Sequence, residues 1–321
     1  MADMNWVSQS GYLTNNKLNR DYQKVAQPLF KFRQFTDIKG AFGKQQGETE
    51  NWLRVANVGN YGKRVAETNT MPTTTQSYTW GTVTVKEFGN SIPYTFKLEA
   101  LSEFDVKEII KAGLMDDMVK VVDGTVERQF NATPLRYVGL TTTSGTVTTN
   151  STAGGTNTSV LNSYHVRKMR LELEKLFAPT WDGEDYAGVL SLEAAESLEG
   201  AMESVSQYTE AGYKKILSGE TGRVHGVRFV KDSFASRYNF DPDAGTATAV
   251  TWTGGYSGNG YIFGKQTVKE IVTVPEEVRL KVVTDFGRSK GMAWYFMGEW
   301  KIFWETYGAG QTRIIKWDSA A

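Results

Sequence analysis

Between residues 79 and 88 apolar and polar side chains alternate. Val83, Val85 and Phe88 fall among Thr82, Thr84, Lys86 and Glu87, the period-two pattern of a strand with one buried and one solvated face. A second strand-like run, WLRVANV, starts at Trp52, and the Gly- and Thr-rich segment GNYGKRVAETNTMPTTTQS joins the two. The pattern predicts a long ribbon within residues 52–97. Two strands alone are marginal in water, so the ribbon reads as an arm that another chain covers. An ordinary sheet hairpin with a long loop is the alternative.

The period then lengthens. Val106, Ile110, Leu114, Met118, Val122, Val126 and Phe130 recur every fourth residue, with Ile109, Val119 and Val121 widening the stripe, which predicts one uninterrupted helix over 103–130. Ser102 opens it in the Ser-x-x-acid arrangement that caps free backbone amides, with Asp105 as the acid, and Pro134 stops it. Gly113 and Gly124 lie inside and each cost about 1 kcal/mol relative to Ala, so they mark close packing or a bend.

Beyond it, residues 136–159 are small and polar, a hairpin or surface loop. Val166, Met169, Leu173, Leu176 and Phe177 form the stripe of a second helix that Pro179 ends. YAGVLSL at 186–192 reads as a buried strand, with helices expected at about 193–206 and 212–217. Residues 222–233 read as one strand, and 245–260 as a surface excursion. Val278, Leu280 and Val282 alternate with Arg279, Lys281 and Val283, which predicts a half-exposed strand. The following GMAWYFMGEWKIFWET is aromatic on both faces and suits a central strand.

The 321 residues are enough for one large or two modest domains, and 40% hydrophobic with 22% charged residues is a globular composition. The 36 basic residues balance 36 acidic ones, which argues against a general grip on nucleic acid. With no cysteine there is no disulfide, thiolate zinc site or cysteine nucleophile. The first 25 residues lack the apolar core of a signal peptide, and no run approaches the ~20 residues of a membrane span, so a soluble, intracellularly made protein without a membrane partner is expected.

Candidate chemistry is sparse. His165 and His225 are the only histidines, and no G-x-S-x-G supplies a nucleophile for either. GNYGK at 59–63 and GGYSGNG at 254–260 lack the phosphate-loop spacing, and DPDAG at 241–245 lacks the further ligands of a calcium loop. The pairs Asp116–Asp117 and Glu276–Glu277 are assigned to solvated faces, and the cluster Trp294, Tyr295, Phe296, Trp300, Phe303 and Trp304 to a core or subunit contact. No catalytic residue, cofactor or metal is expected. The residues singled out are instead contact residues: Tyr61, Lys63, Arg64 and Glu67 at the ribbon tip, and Phe30 and Phe32 in the apolar patch PLFKFRQF of the N-terminal arm.

The order of these segments carries a family likeness. The ribbon (ETENWLRVANV to TWGTVTVKEFGNSIPYTF), the helix SEFDVKEIIKAGLMDDMVKVVDGTVERQF, then SYHVRKMRLELEKLFAP, YAGVLSLEAAESL, ILSGETGRVHGVRFVKDS and a β-rich C-terminus resemble major capsid proteins of tailed double-stranded-DNA bacteriophages, from about residue 45 onward. The most specific piece is the G-E-x-G-x-x-x-G-V-R-F-V stretch that ends at Val230. The resemblance implies an α+β chain of the Hong Kong 97 type: an N-terminal arm (1–45), an extended loop (46–97), a peripheral domain (98–184) with the spine helix, an axial domain (185–290) and C-terminal strands returning to the peripheral domain (291–321).

It also implies a structural protein rather than an enzyme. The chain would self-assemble through pentamers and hexamers, in the bacterial host cytoplasm, into the icosahedral shell of a virion around double-stranded DNA. A separate scaffolding protein and a portal protein at one vertex are the implied partners, and the presence of a decoration protein is left open. Shells of some relatives are crosslinked through Lys–Asn bonds; here Lys63 has no assignable partner, and none is expected. Two alternatives stay open at this point, a nanocompartment of the same fold around protein cargo and a β-rich carbohydrate-binding module.

Overall fold

The computed structural model describes residues 30–40, 47–56, 58, 62–150, 157–199, 220–233, 238–249, 258–283 and 285–318. In chain order they form β1 (Asp37–Gly40), β2 (Thr49–Val55), β3 (Tyr78–Thr84), β4 (Lys86–Thr95), α1 (Phe96–Leu101), α2 (Val106–Asn131), β5 (Leu135–Thr141) and β6 (Ser144–Thr148). They continue with α3 (Ser163–Lys175), β7 (Tyr186–Ser191), α4 (Leu192–Glu196), β8 (Glu220–Val224), β9 (Val227–Asp232), β10 (Tyr238–Asp241), β11 (Thr246–Ala249), β12 (Gly260–Phe263), β13 (Val268–Leu280), β14 (Ser289–Ile302) and β15 (Ile314–Trp317). Of the helix expected at about 193–206 the described residues show α4, which ends at Glu196; residues 200–206 and the helix expected at 212–217 lie outside them.

The long helix forms, but from a different cap. Asp105 accepts from the backbone N–H of Lys107 at 3.0 Å and of Glu108 at 3.3 Å, so α2 starts at Val106. Ser102 closes α1 instead, its N–H donating to the Leu98 carbonyl at 2.9 Å. The 26 residues of α2 span about 40 Å. Ile110, Leu114, Met118, Val122, Val126 and Phe130 are buried as the stripe requires. From Val122 through Glu127 every residue is buried, so here the helix is enclosed on all sides. Gly124 is a close-packing point, since a Cβ there would lie 2.8 Å from the Phe240 Cβ; Gly113 faces open space.

A four-stranded sheet in the order β1-β13-β14-β4 packs beneath α2. The aromatic-rich β14 is internal in it, as its composition predicts, with Trp294, Phe296 and Trp300 turned into the core. Pro275 is tolerated in β13 because it falls at a register shift, past the stretch that β1 pairs. From Leu280 on the expected alternation fails, and Leu280, Val282 and Val283 are all exposed.

The second sheet runs β6-β5-β15-β12-β7-β9-β8. Its middle strands read as continuous apolar runs because both faces are covered. Tyr186 and Leu190 of β7, Ile262 of β12 and Ile315 and Trp317 of β15 pack on one side with Val166, Met169 and Leu173 of α3. Ala187, Val189, Tyr261, Phe263 and Ile314 face the other way, toward Phe130 of α2 and the N-terminal Phe32 and Phe35. Phe177, expected on the α3 stripe, is 77% exposed: the chain turns left-handed there, at φ 55°, and swings its side chain away.

Two further expectations change. Residues 222–233 are a hairpin, with Val224 opposite Val227 and the connecting His225 and Gly226 at φ 47° and 72°. A Cβ on Gly226 would also strike the Arg170 guanidinium. The C-terminal strands do not return together either, since β14 joins the four-stranded sheet while β15 lies between β5 and β12 in the seven-stranded one. Residues 98–184, 185–290 and 291–321 therefore each contribute to more than one packing unit.

Candidate subunit-contact surfaces

Strands β2 and β3 pair antiparallel in the register Glu50↔Val83, Trp52↔Gly81, Leu53↔Trp80 and Val55↔Tyr78. Residues 86–95 leave the ribbon, because β4 pairs with β14. The inner ribbon face is anchored on the subunit's own sheet. Trp52 stacks on Phe303 at 5.8 Å between ring centroids, with Lys269 Nζ 4.8 Å and the Arg54 guanidinium 5.3 Å from its ring. Lys269 also bridges Glu50 at 2.7 Å.

Gly81 makes that seat possible, since a Cβ there would enter the Trp52 ring. Gly81→Val should expel Trp52, costing about 1–3 kcal/mol of stability, and protease should then cut the ribbon base of the variant faster than that of the parent chain. An unchanged melting curve and cutting rate would show that the seat does not hold the ribbon.

The outer face changes character along its length. Near the base it carries Thr49, Thr84, Asn51 and Thr82; toward the tip come Leu53, Trp80, Val55 and Tyr78. Trp80 is 66% exposed, and Leu53, Val55 and Tyr78 are exposed with it. Such an apolar stretch on a two-stranded arm is an unsatisfied packing surface.

A second apolar surface lies at the far end of the four-stranded sheet. Leu280, Val282, Val283 and Phe286 around the β13–β14 turn are exposed, as are Phe96, Leu98 and Leu101 of α1. The two groups are neighbours: the Phe96 N–H donates to the Arg288 carbonyl at 2.9 Å, and Lys290 Nζ lies 4.8 Å from the Phe96 ring.

The contact residues expected from sequence divide three ways. Lys63, Arg64 and Glu67 are exposed in the segment that joins the ribbon strands, and Tyr61 lies outside the described residues. Phe32 is corrected to a core residue. It is fully buried, with its ring 5.5 Å from Phe130 and 5.7 Å from Tyr261. Phe30 packs half-buried against the same cluster. PLFKFRQF reads as a free arm because it is an isolated apolar patch, but its described part, residues 30–35, packs Phe32 and Phe35 into the core between α2 and the seven-stranded sheet. The Leu53–Trp80 face was missed, although its signal was present: Leu53 and Val55, like Tyr78 and Trp80, alternate with the inward-facing positions.

Ionisable groups serve packing here. His165 is buried against Tyr137 and Trp317, its Nδ1 3.0 Å from the Tyr137 hydroxyl, and burial lowers its pKa. His225 Nε2 lies 2.5 Å from Ser163 Oγ at the β8–β9 turn. Asp117, read as solvated, accepts from Trp294 Nε1 and from Asn90 Nδ2, each at 2.9 Å, and Glu276 pairs with Arg33. Among the described residues no group of three or more His, Asp or Glu could hold a metal ion.

No protein-family model matches the chain, and no curated protein matches it in sequence. Solved structures do match. The capsid of Ralstonia phage GP4 aligns at a TM-score of 0.66 and 12% identity, over 97% of this chain and 96% of that one. The capsid of cyanophage Pam1 aligns at 0.64 and 14% identity over 100% of both chains. This is the Hong Kong 97 type fold of phage capsid proteins. The acid-stable capsid of Helicobacter pylori bacteriophage KHP30 shares it at a TM-score of 0.64 and 13% identity, over 98% of both chains. At such identities the phage capsid fold survives as periodicity and element order, the features by which the sequence resembles it.

Proposed function

We propose that this chain is the major capsid protein of a tailed double-stranded-DNA phage. It assembles through pentamers and hexamers into an icosahedral shell around packaged DNA, and its role is structural rather than catalytic. The observation that carries this reading is the end-to-end match to phage capsids at TM-scores up to 0.66. The unpartnered apolar face of the ribbon, at Leu53, Val55, Tyr78 and Trp80, gives it a physical basis. A shell subunit repeats each contact around a closed surface, so patches that leave a monomer insoluble become the seams of the particle.

In this reading the ribbon and the segment joining its strands, including Lys63, Arg64 and Glu67, are the extended loop that lies on a neighbour. Helix α2 with the four-stranded sheet is the peripheral domain, and the seven-stranded sheet with α3 and α4 the axial one. A scaffolding protein, a portal at one vertex and a decoration protein are the partners such a shell takes. The virion is its destination, after assembly in the cytoplasm of a bacterial host.

Negative-stain microscopy and size-exclusion chromatography of the expressed protein test the proposal. Shells, tubes or capsomer-sized rings are expected. A strictly monomeric 35.8 kDa species at high concentration, unmoved by its scaffolding partner, would count against it. Nuclease-protected DNA inside phage-derived particles, rather than a protein cargo, separates the virion from a nanocompartment.

A further inference from the structure

Helix α2 carries two carboxylates where its surroundings are most enclosed. Asp123 and Glu127, one turn apart, are 3% and 4% exposed. Asp123 binds the root of the N-terminal arm. Its Oδ1 accepts from the backbone N–H of Lys31 at 3.2 Å, Phe32 at 2.9 Å and Arg33 at 3.1 Å, and its Oδ2 from Lys31 at 3.0 Å. Glu127 accepts from the Tyr261 hydroxyl on β12. A third buried acid, Asp232 at the end of β9, acts on both through its charge.

The other charged groups around this step are largely committed elsewhere. Lys316 on β15 attracts Glu127, yet it also bonds Asn131 at 2.8 Å and Asp318 at 3.4 Å. Arg136 on β5 is bridged to Asp318 at 3.1 Å. On the arm, Lys31 is half-buried and the Arg33 guanidinium turns to Glu270 and Glu276; over the outer side, Arg128 pairs with Asp241 of β10 at 2.8 Å. Burial, reinforced by Asp232, pushes Asp123 up to about 7 against the pull of its amide bonds. Burial pushes Glu127 to about 7 as well, opposed by the Tyr261 hydrogen bond and Lys316.

We propose that Asp123 is a proton-dependent latch for the root of the N-terminal arm. Protonated, it lies under residues 31–33 at little cost; ionised beside Glu127 and Asp232, it favours release of that segment into water. The direction follows from linkage. The covered carboxyl has a raised pKa and a released one returns toward the ordinary carboxylate range, so the covered state holds more protons. Its advantage is full at acid pH and is lost as pH rises through about 7. The opening is local, since Phe35, 4.9 Å from Phe263 and 5.2 Å from Trp181, keeps the following residues in the core.

The segment contains its own reporters, because trypsin cuts after Lys31 and Arg33 only when their backbone is free. Cleavage there, divided by cleavage at the exposed Arg64 of the same full-length chain, cancels the protease's own pH profile. For isolated subunits of one size, checked by chromatography, the ratio is expected to rise about tenfold from about pH 6 to about pH 8. In Asp123→Asn it should be nearly flat. In Asp232→Asn the rise should move to lower pH, because the neighbouring charge that reinforces the effect of burial on Asp123 is then gone. A flat ratio in the parent chain, or an unchanged rise in Asp123→Asn, would overturn the proposal. If Asp123→Asn fails to fold, the parent series and Asp232→Asn decide it, and a rise that stays in place in Asp232→Asn would count against it.

Discussion

Trp80→Asp is expected to abolish assembly while leaving the subunit as stable as the parent. Trp80 stands on the outer ribbon face opposite Leu53, 66% exposed, and the inner face that ties the ribbon to its own sheet does not use it. A substitution there changes monomer stability by no more than about 0.5 kcal/mol. At a subunit contact a buried aromatic anchor carries about 2 kcal/mol or more, and the aspartate adds the cost of a charge held in an apolar seat. Because every copy repeats the loss, the effect on a closed shell is all-or-none. Light scattering with a thermal melt reads both halves: no particles, and an unchanged midpoint. Normal shells from Trp80→Asp would remove the ribbon face from the contact, and a large drop in melting temperature would place Trp80 in the subunit's own packing.

Phe32→Ala should give the opposite signature. Its ring is fully buried between Phe130 of the long helix and Tyr261 of the seven-stranded sheet. Truncation leaves a cavity at the junction of both packing units, worth about 3–5 kcal/mol. For a chain of this size the melting temperature should fall by about 5–10 °C. Any assembly defect would follow from the unfolded fraction and recover on cooling. Unchanged melting combined with lost assembly would restore Phe32 to the contact role its sequence context suggests.

The ribbon and the long helix are legible in the sequence because their signals are local. Val83 and Val85 among their threonines show a period of two, and Ile110 to Phe130 a period of four, before any tertiary contact exists. What stays hidden depends on residues far along the chain. Asp123 and Glu127 fall off the apolar stripe of α2 in sequence, and their partners in the fold, the amides of residues 31–33 and the Tyr261 hydroxyl, lie about 90 and 134 residues away. The ribbon reads as continuing to residue 97 because β4 finds its partner, β14, about two hundred residues later. His225 is an uncommon residue for a tight turn, so β8 and β9 read as a single strand. Two capping residues three positions apart, Ser102 and Asp105, compete for the start of α2, and the one with the free carboxylate takes it.

The contact surface was legible only in part, for a physical reason. Alternation shows which residues of a strand share a face, but it does not say which face the subunit covers itself. Trp52 and Trp80 look equivalent in sequence; the stacking of Phe303 and the approach of Lys269 bury the first, while the second stays exposed.

A cryo-electron-microscopy map of particles formed by this chain would show directly what the outer ribbon face does. A closed shell is expected, in which each ribbon crosses onto an adjacent copy with Leu53, Val55, Tyr78 and Trp80 buried beneath it. A shell in which that face points into solvent, or a map of a discrete monomer, would contradict it.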